Sequence, residues 1–303
     1  MVSEAVTHFD RSVKDSTSVR PNDDELDLFG ITHRGKVRAD NQDHFLIATV
    51  HPQLVIHGTS LEHTEGLPLR GTRMATVMLL ADGVGGAAAG SEAARLAAES
   101  VTRYVSSTLR SYHTAGSAKD VEFLNALKSA ALEAHTAVRA EAALRTDQRQ
   151  MATTLTVGFA VWPWLYVVQV GDSRCYFFSG GKLQQITQDQ TVAQALVDKG
   201  IMPKDRLDRS PLKHVLSSAI GAEEALPEVT RVDISERGAL ILICSDGLTK
   251  HVTDEEIAEQ ARGMKSSEQV AKDLLDLALE RGGSDNITII AARALRKNEP
   301  KSN

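Results

Sequence analysis

The sequence predicts an α+β fold in which antiparallel strands form sheets and long helices pack on those sheets. Strand-like apolar runs outnumber helical segments along the 303 residues. Several runs are joined by short polar turns, such as residues 179–182, which is typical of antiparallel hairpins. Strands and helices do not alternate strictly, so the pattern disfavours a doubly wound parallel sheet.

Each predicted strand is a short run rich in β-branched, aromatic and other apolar residues, bounded by polar or turn-forming residues. The predicted strands are 27–32, 44–50, 74–81, 154–162, 165–170, 175–179, 229–233, 239–244 and 287–292. Cys175 and Cys244 lie within two of these runs and match no metal-ligand pattern. Both cysteines are therefore expected to be reduced core residues.

Two long helices are predicted at 91–110 and 121–144, because apolar residues recur on one face of each. Such a pair is expected to pack together on a sheet. Farther along, Thr253 and Glu256 have the spacing of a capping box, and a last helix is expected to end at Gly282.

The composition limits the domain organisation and the partners. A hydrophobic content of 42% can supply a full core, and the net charge of −6 disfavours binding to nucleic acid or to an anionic membrane surface. With no apolar leader and no run of spanning length, a cytoplasmic protein is expected. We predict a mobile tail at 1–25, one domain at 26–296 and a second tail at 297–303.

Aspartates stand where predicted strands meet turns. Asp82 follows one strand, Asp246 follows another, and Asp285 precedes a third. Mg²⁺ and Mn²⁺ prefer such oxygen ligands, and a carboxylate that bridges two ions lets them activate a water for attack on phosphorus. A single Asp-Gly pair is more often a structural turn. The repetition, with Asp172 as a fourth case, indicates a metal-dependent phosphoryl hydrolase.

A second polar cluster lies at residues 34–43, just before a predicted strand. The Arg38 guanidinium is suited to bidentate capture of a phosphate, although an arbitrary arginine is more often a surface charge. Asp43 is placed to join the metal site, directly or through a coordinated water. Gly83, next to Asp82, lets a backbone carbonyl approach a cation.

These motifs, in this order, resemble those of the protein phosphatase 2C family, particularly its bacterial branch. The segments that carry the resemblance are 38–43, 81–86, 152–154, 171–174, 244–248 and 285–288. The resemblance implies a four-layer α-β-β-α sandwich, in which two antiparallel sheets are flanked by paired helices. It also implies hydrolysis of phosphoserine and phosphothreonine in proteins, by a water activated between two Mn²⁺ or Mg²⁺ ions.

The resemblance further implies roles for single residues. Asp82 bridges the two ions, Asp246 and Asp285 complete one ion, and the Gly83 carbonyl serves the other. Arg38 holds the substrate phosphate, and Asp172 together with Asp246 takes a third, weaker ion. The implied partners are phosphorylated proteins and a Ser/Thr kinase or the targets of that kinase.

Two positions depart from the family pattern. Gln42 stands where many members have Glu, which is expected to weaken the second ion site, and Val84 stands where animal enzymes carry a His proposed as general acid. Gln42 motivates an alternative function, a weakly active regulatory module that binds phosphoproteins. A phosphatase for small phosphoesters is a further alternative.

Two segments border the expected site. Residues 189–219 correspond to the mobile flap of bacterial relatives, and an ordinary surface helix and loop is the equal alternative. Residues 51–73 form an insertion that we expect to modulate access of a partner or substrate. Its histidines, His51, His57 and His63, have no zinc-ligand spacing and are expected to be solvent-exposed.

Overall fold

The computed structural model describes residues 19–53, 55–57, 59–60, 68–85, 87–107, 120–145, 151–207 and 209–296. The strands in this part of the chain are β1 Leu26–His33, β2 His44–Val50, β3 Ala75–Ala81, β4 Gly83–Val84, β5 Ala152–Thr153, β6 Leu155–Val161, β7 Trp164–Val170, β8 Arg174–Ser179, β9 Lys182–Gln185, β10 Glu228–Asp233, β11 Leu240–Cys244 and β12 Ile287–Ala294. The helices are α1 Ala87–Ser107, α2 Asp120–Leu144, α3 Val192–Asp198, α4 Asp246–Thr249, α5 Asp254–Gly263 and α6 Ser267–Glu280.

Ten of these strands form two large antiparallel sheets that face each other, and β4 pairs with β5 in a small separate sheet. One sheet has the order β1-β12-β11-β8-β9, and the other has the order β10-β7-β6-β3-β2. Helices α1 and α2 cover the outer face of the second sheet, and α5 and α6 cover the outer face of the first. The predicted four-layer α-β-β-α sandwich is confirmed.

Strand β3 shows why the central strands have continuous apolar sequences. Val77 and Leu79 point towards α1 and α2, whereas Met78 and Leu80 point into the layer between the sheets. Because side chains alternate between the two faces of a strand, a strand that is covered on both faces must be apolar at every position. This double burial produces the uninterrupted runs that the sequence shows.

Most predicted strands lie within one or two residues of the observed ones, but β4, β5 and β9 were not predicted. The first two span two residues each, and β9 is polar and alternates between exposed and partly buried positions. Helix α1 begins at Ala87 rather than at residue 91, so Gly90 lies inside it. A Cβ atom at Gly90 would lie 2.8 Å from Gln42 Nε2, so this glycine permits close packing instead of marking the helix start.

The predicted ends of the later helices are confirmed. The Thr253 hydroxyl accepts a hydrogen bond from the Glu256 amide, and the Glu256 carboxylate accepts one from the Thr253 amide, which completes the capping box of α5. Helix α6 ends at Glu280, and Gly282 follows with a φ of 121°, a conformation that favours glycine. Cys175 and Cys244 are fully buried, as expected.

The ordered fold begins before the predicted domain boundary at residue 26. Arg73 donates to the Pro21 carbonyl at 2.6 Å and to Asp23 at 2.5 Å, and the Leu295 amide donates to the Glu25 carbonyl at 2.8 Å. The end of the predicted tail is therefore packed on the sandwich. Residues 1–18 and 297–303 lie outside the described residues. Among the helices of the described part of the chain, none combines the length and apolar character needed to cross a membrane.

The described part of the insertion at 51–73 is closed at its base. Gln53 and Arg70 form an antiparallel bridge, and the Gly71 carbonyl lies 3.1 Å from His51 Nδ1. The His51 side chain is only 7% exposed, so the prediction of an exposed histidine is wrong there, because this closure folds the ring inward. His57 is exposed as predicted, and His63 lies outside the described residues.

Candidate metal centre

The candidate site lies at one end of the sandwich, where several strands begin or end. Antiparallel pairing places His44, the first residue of β2, opposite Ala81, the last residue of β3. It likewise places Cys244, the end of β11, opposite Arg174, the start of β8. The aspartates next to these strand ends are thereby brought together: Asp43, Asp82, Asp172, Asp246 and Asp285.

Asp43 is a buried carboxylate with an unused acceptor. Its Oδ2 atom accepts hydrogen bonds from the Ser245 hydroxyl at 2.9 Å and the Thr288 hydroxyl at 2.7 Å. Its Oδ1 atom is buried and has no hydrogen-bond partner among the described residues. Burial, followed by the charge of Asp246, raises the pKa of Asp43 to about 6, although the two hydroxyl donors and the neighbouring Asp82 carboxyl lower it. The free oxygen is a ready ligand for a cation, directly or through a water.

Asp82 is surrounded by the negative charges of four other aspartates. Its pKa is raised well above the ordinary value, first by burial and then by the negative charges of the other aspartates. The backbone here is fixed by Thr153 and Thr154: the Thr153 hydroxyl donates to the Asp82 carbonyl at 2.8 Å, and the Thr154 hydroxyl accepts from the Asp82 amide at 3.1 Å. These threonines therefore position a carboxylate that needs a positive partner.

Asp172 and Asp246 form a third part of the centre together with a residue that the sequence analysis did not identify. Burial, followed by the charge of Asp246, raises the pKa of Asp172 to about 8. His214, from the 189–219 segment, offers a ring nitrogen, and one ligand atom from each of the three residues lies within 4.8 Å of the others. No sequence motif surrounds His214, so only its position in the fold reveals it.

Two basic side chains neutralise Asp285. Lys250 Nζ lies 2.6 Å from Asp285 Oδ2 and 2.6 Å from Asp246 Oδ2, and Arg38 Nε lies 2.8 Å from Asp285 Oδ1. Burial raises the pKa of Asp285, but the hydrogen bonds from Arg38 and Lys250 outweigh it, and the net pKa is lowered. The sequence analysis did not identify Lys250, although it lies four residues after Asp246 on the same helical face.

Glycines shape the backbone around the carboxylates. A Cβ atom at Gly83 would lie 2.4 Å from the Gly90 carbonyl oxygen, and one at Gly247 would lie 1.9 Å from the Asn286 carbonyl oxygen. Any larger residue would push these segments apart. Gln42, the departure from the family pattern, is buried beside Gly90.

Asn286 fixes the loop that carries Arg38. Its side-chain amide donates to the carbonyls of Arg34 at 2.9 Å and Asp40 at 2.8 Å, and its Oδ1 accepts from the Gln42 amide at 2.9 Å. The asparagine of the Asp-Asn motif thus has a positioning role that the sequence analysis did not assign.

The arginine of the Gly-Asp-Ser-Arg segment anchors the flap. Arg174 Nε lies 2.8 Å from Asp189 Oδ1, and Arg174 Nη2 lies 2.7 Å from Asp189 Oδ2. Thr191 caps α3, and the Val192 amide donates to the Val215 carbonyl at 2.7 Å. Both arms of the 189–219 segment are therefore tied together beside the centre, and its mobility stays a prediction.

A divalent cation fits this donor set. The carboxylates of Asp43, Asp82 and Asp172 have raised pKa values, and the described residues supply none of them with a cationic ion-pair partner. Oxygen ligands of this kind suit Mg²⁺ and Mn²⁺. The imbalance of charge and the free Asp43 oxygen indicate a metal centre.

Comparisons with known proteins agree with this geometry. The profile of the protein phosphatase 2C family matches residues 69–282. The serine/threonine protein phosphatase PstP of Mycobacterium tuberculosis is 33% identical over 218 residues, which cover 72% of this chain and 40% of that relative. The serine/threonine phosphatase stp of Listeria monocytogenes is 27% identical over 259 residues, which cover 86% of this chain and 92% of that relative.

Solved structures show the same fold. A crystal structure of M. tuberculosis PstP superposes with a TM-score of 0.70 at 30% identity and covers 89% of this chain and 99% of that chain. A second structure, of the PstP catalytic domain in complex with 2 manganese ions, gives a TM-score of 0.68 at 30% identity, with the same coverage of both chains. The chain thus spans about two fifths of full-length PstP and nearly all of the solved PstP domain.

Proposed function

The chain belongs to the protein phosphatase 2C family, and from that premise we propose that it hydrolyses phosphoserine and phosphothreonine in proteins with two divalent cations, Mn²⁺ or Mg²⁺. The observation that carries the proposal is the excess of buried carboxylate charge at one end of the sandwich, where Asp43 Oδ1 has no partner. When bound, such ions lower the pKa of a water to near neutrality and polarise a phosphoryl oxygen.

The aspartates divide into groups that would hold different ions. Asp82, surrounded by the other four aspartates, suits a position shared by both ions. Asp246 and Asp285, which already share one Lys250 ammonium, suit a common ion. The Gly83 carbonyl would serve the other ion, Asp43 would join the centre directly or through a water, and Asp172 would take a third ion with Asp246.

Arg38 would bind the substrate phosphate. Its side chain is 52% exposed, and its guanidinium presents a two-pronged contact to Asp285, the geometry that also matches two phosphoryl oxygens. An ion on Asp285 would replace that contact and leave the guanidinium available to substrate. Val84 has no proton to give, so it cannot protonate the leaving serine or threonine hydroxyl.

The proposed partners are phosphorylated proteins and a Ser/Thr kinase or its targets, in the cytoplasm. The serine/threonine phosphatases among the relatives support the substrate class. The buried Gln42 offers an amide oxygen but no charge, so we expect one of the two ions to bind more weakly than the other.

The decisive experiment is phosphate release from a phosphothreonine peptide, with and without Mn²⁺. Wild-type protein should turn over only with metal, and Asp246→Asn should lose nearly all of that activity. Asp233→Asn is the matched control, because it removes an exposed carboxylate at the end of β10, away from the centre. It should retain full activity.

The result also separates the alternative functions. Metal binding and phosphopeptide binding without turnover would replace the proposal with the regulatory module that Gln42 motivates. Turnover of small phosphoesters but not of phosphopeptides would overturn the protein-substrate class and leave the metal centre standing.

A further inference from the structure

The layer between the two sheets contains a cavity at the end opposite the metal centre. Its empty volume is about 570 Å³, part of which is open to solvent. Sites for small molecules typically have volumes of about 300 to 1,000 Å³ and mostly apolar walls. Both sheets contribute apolar side chains to this cavity. Among them are Leu26, Leu28, Met78, Trp162, Phe177 and Ile241. An apolar chain or ring placed there would be removed from water on all sides.

The charged groups around the cavity are almost all satisfied within the protein. Four charged side chains of the described residues border it: Arg20, Arg73, Glu236 and Arg293. Both Arg73 and Arg293 have carboxylate partners. Glu236 accepts hydrogen bonds from the Ser179 hydroxyl at 2.5 Å and the Gly180 amide at 3.3 Å. Only Arg20 is left to interact with a ligand.

Arg20 is a half-buried cation without a partner. Within the described part of the chain it makes no hydrogen bond and no ion pair. Burial, followed by the charge of Arg73, lowers the pKa of its guanidinium, although the charge of Asp23 raises it. The next residue, Pro21, is buried and its carbonyl accepts a hydrogen bond from Arg73 at 2.6 Å, which fixes Arg20 at the cavity. An anion would supply the missing partner.

We propose that this cavity binds a small aliphatic carboxylate, with its chain between the sheets and its carboxylate on the Arg20 guanidinium. The apolar wall favours the chain, because its burial removes apolar surface from water. The guanidinium favours the carboxylate, whose two oxygens match its paired N–H groups. A phosphate dianion would bring a second negative charge that one unpaired arginine does not balance.

The proposed site is independent of the proposed phosphatase activity. Met78 lies in the middle of β3, whereas Asp82 follows the end of that strand. None of the described aspartates of the metal centre borders the cavity. The test can therefore be read without any measurement of turnover, and a loss of carboxylate binding would leave the metal centre unaffected.

The first measurement is a titration of the full chain with hexanoate, followed by tryptophan fluorescence. Trp162 borders the cavity, and it is the single tryptophan once Trp164→Phe is introduced, because the chain has 2 tryptophans. Hexanoate should give a saturable change. Hexanol, which has the same chain without the charge, should bind roughly tenfold more weakly, because it lacks a charge-assisted hydrogen bond. Acetate and hexylammonium should give no saturable change.

Substitutions test the two halves of the site separately. Arg20→Met should weaken hexanoate binding by about tenfold and leave hexanol binding unchanged. Arg262→Met, the matched control, removes an exposed arginine of α5 and should bind hexanoate like wild type. Ala160→Leu extends a side chain between the sheets into the cavity and should abolish binding of both molecules. Melting curves monitor folding, and hexanoate should raise the melting temperature of wild type but not of Ala160→Leu.

The outcomes are distinct. Absence of saturable hexanoate binding in wild type would overturn the inference. Equal hexanoate affinity in Arg20→Met and wild type, or hexanol binding as tight as hexanoate binding, would overturn the assignment of an anionic ligand. If Ala160→Leu fails to fold, the comparison of hexanoate with hexanol in Arg20→Met still decides the question.

Discussion

The two ends of the β-sandwich differ in how many of their carboxylates have a basic partner. At the end closed by the N-terminal segment, three acids each pair with an arginine: Arg73 lies 2.5 Å from Asp23, Arg237 lies 2.7 Å from Glu25, and Arg293 lies 2.8 Å from Asp27. At the other end, Asp43, Asp82 and Asp172 have raised pKa values and, in the described part of the chain, no basic side chain pairs with them.

The difference separates structural charge from functional charge. Paired carboxylates hold the N-terminal segment and the strand ends in place, so they serve the fold. Unpaired carboxylates repel one another in a buried position and weaken the metal-free fold, so their value lies in what they bind. Substitutions at the two ends should therefore have different effects on stability and on activity, which tests this distinction.

The largest effect is expected for Asp82→Asn, which removes the central carboxylate and keeps its size. Activity with Mn²⁺ should fall by roughly a thousandfold, about 4 kcal/mol of transition-state stabilisation. The metal-free protein should become more stable by about 1 kcal/mol, because the charge repulsion is relieved. Turnover of the phosphopeptide and urea unfolding without metal measure the two effects. A variant that loses stability and activity together would contradict the comparison.

Next in size is Arg293→Met at the paired end. It removes the charged partner of Asp27, whose carboxylate keeps only the neutral Ser267 amide among its donors in the described residues, and it removes a donor to the Lys265 carbonyl. The free energy of unfolding should therefore fall by about 3 kcal/mol. Turnover per folded molecule should stay at the wild-type level. Urea unfolding, with activity measured on the folded fraction, checks both statements. A large loss of specific activity would show that this end also supports catalysis.

The stability of the metal-free protein should depend on pH in the direction set by the raised pKa values. Asp43 and Asp172 titrate at about 6 and about 8 in the fold, against 3.8 ordinarily. Above pH 3.8 the unfolded chain has released the protons of these two carboxyl groups, whereas the folded protein keeps them up to about pH 6 for Asp43 and about pH 8 for Asp172. Stability is therefore greatest at the acidic end of this window and falls as pH rises towards 8, by about 2 kcal/mol between pH 6 and pH 8.

Thermal unfolding in a chelator measures this dependence as a melting temperature roughly 5 °C lower at pH 8 than at pH 6. Saturating Mn²⁺ should remove or reverse the trend, because metal binding requires the ionised carboxylates. A metal-free protein whose melting temperature rises over the same interval would show that the aspartates are not the dominant titrating groups.

The smallest effect is expected for Lys250→Met, which removes the ammonium shared by Asp246 and Asp285. The metal-free protein should be less stable, while the affinity for Mn²⁺ should rise about tenfold, because the ion no longer displaces a bound cation. Titration calorimetry and unfolding without metal provide the measurements. Lys213→Met removes a nearby exposed charge and should change neither quantity appreciably. Unchanged Mn²⁺ affinity in Lys250→Met would show that the lysine does not compete with metal.

The sequence by itself determined most of the secondary structure and the aspartates of the candidate centre. Strands covered on both faces must be apolar throughout, and long helices on a sheet must be apolar on one face, so both leave periodic patterns in the chain. The aspartates were recognisable because each follows or precedes such a strand, as Asp82 follows β3 and Asp285 precedes β12.

Only the tertiary structure decided which side chains meet those aspartates. Lys250 meets Asp285, Asn286 binds the carbonyl of Asp40, and His214 faces Asp172, and each of these pairs is distant in the chain. The sequence carried a signal only for the contact of Lys250 with Asp246, four residues before it. The inward position of His51 and the placement of Gly90 inside α1 likewise depend on packing partners. The periodic pattern of apolar residues along the chain shows which residues are buried. Hydrogen bonds and ion pairs between distant segments form only after the sheets have assembled and placed those segments side by side.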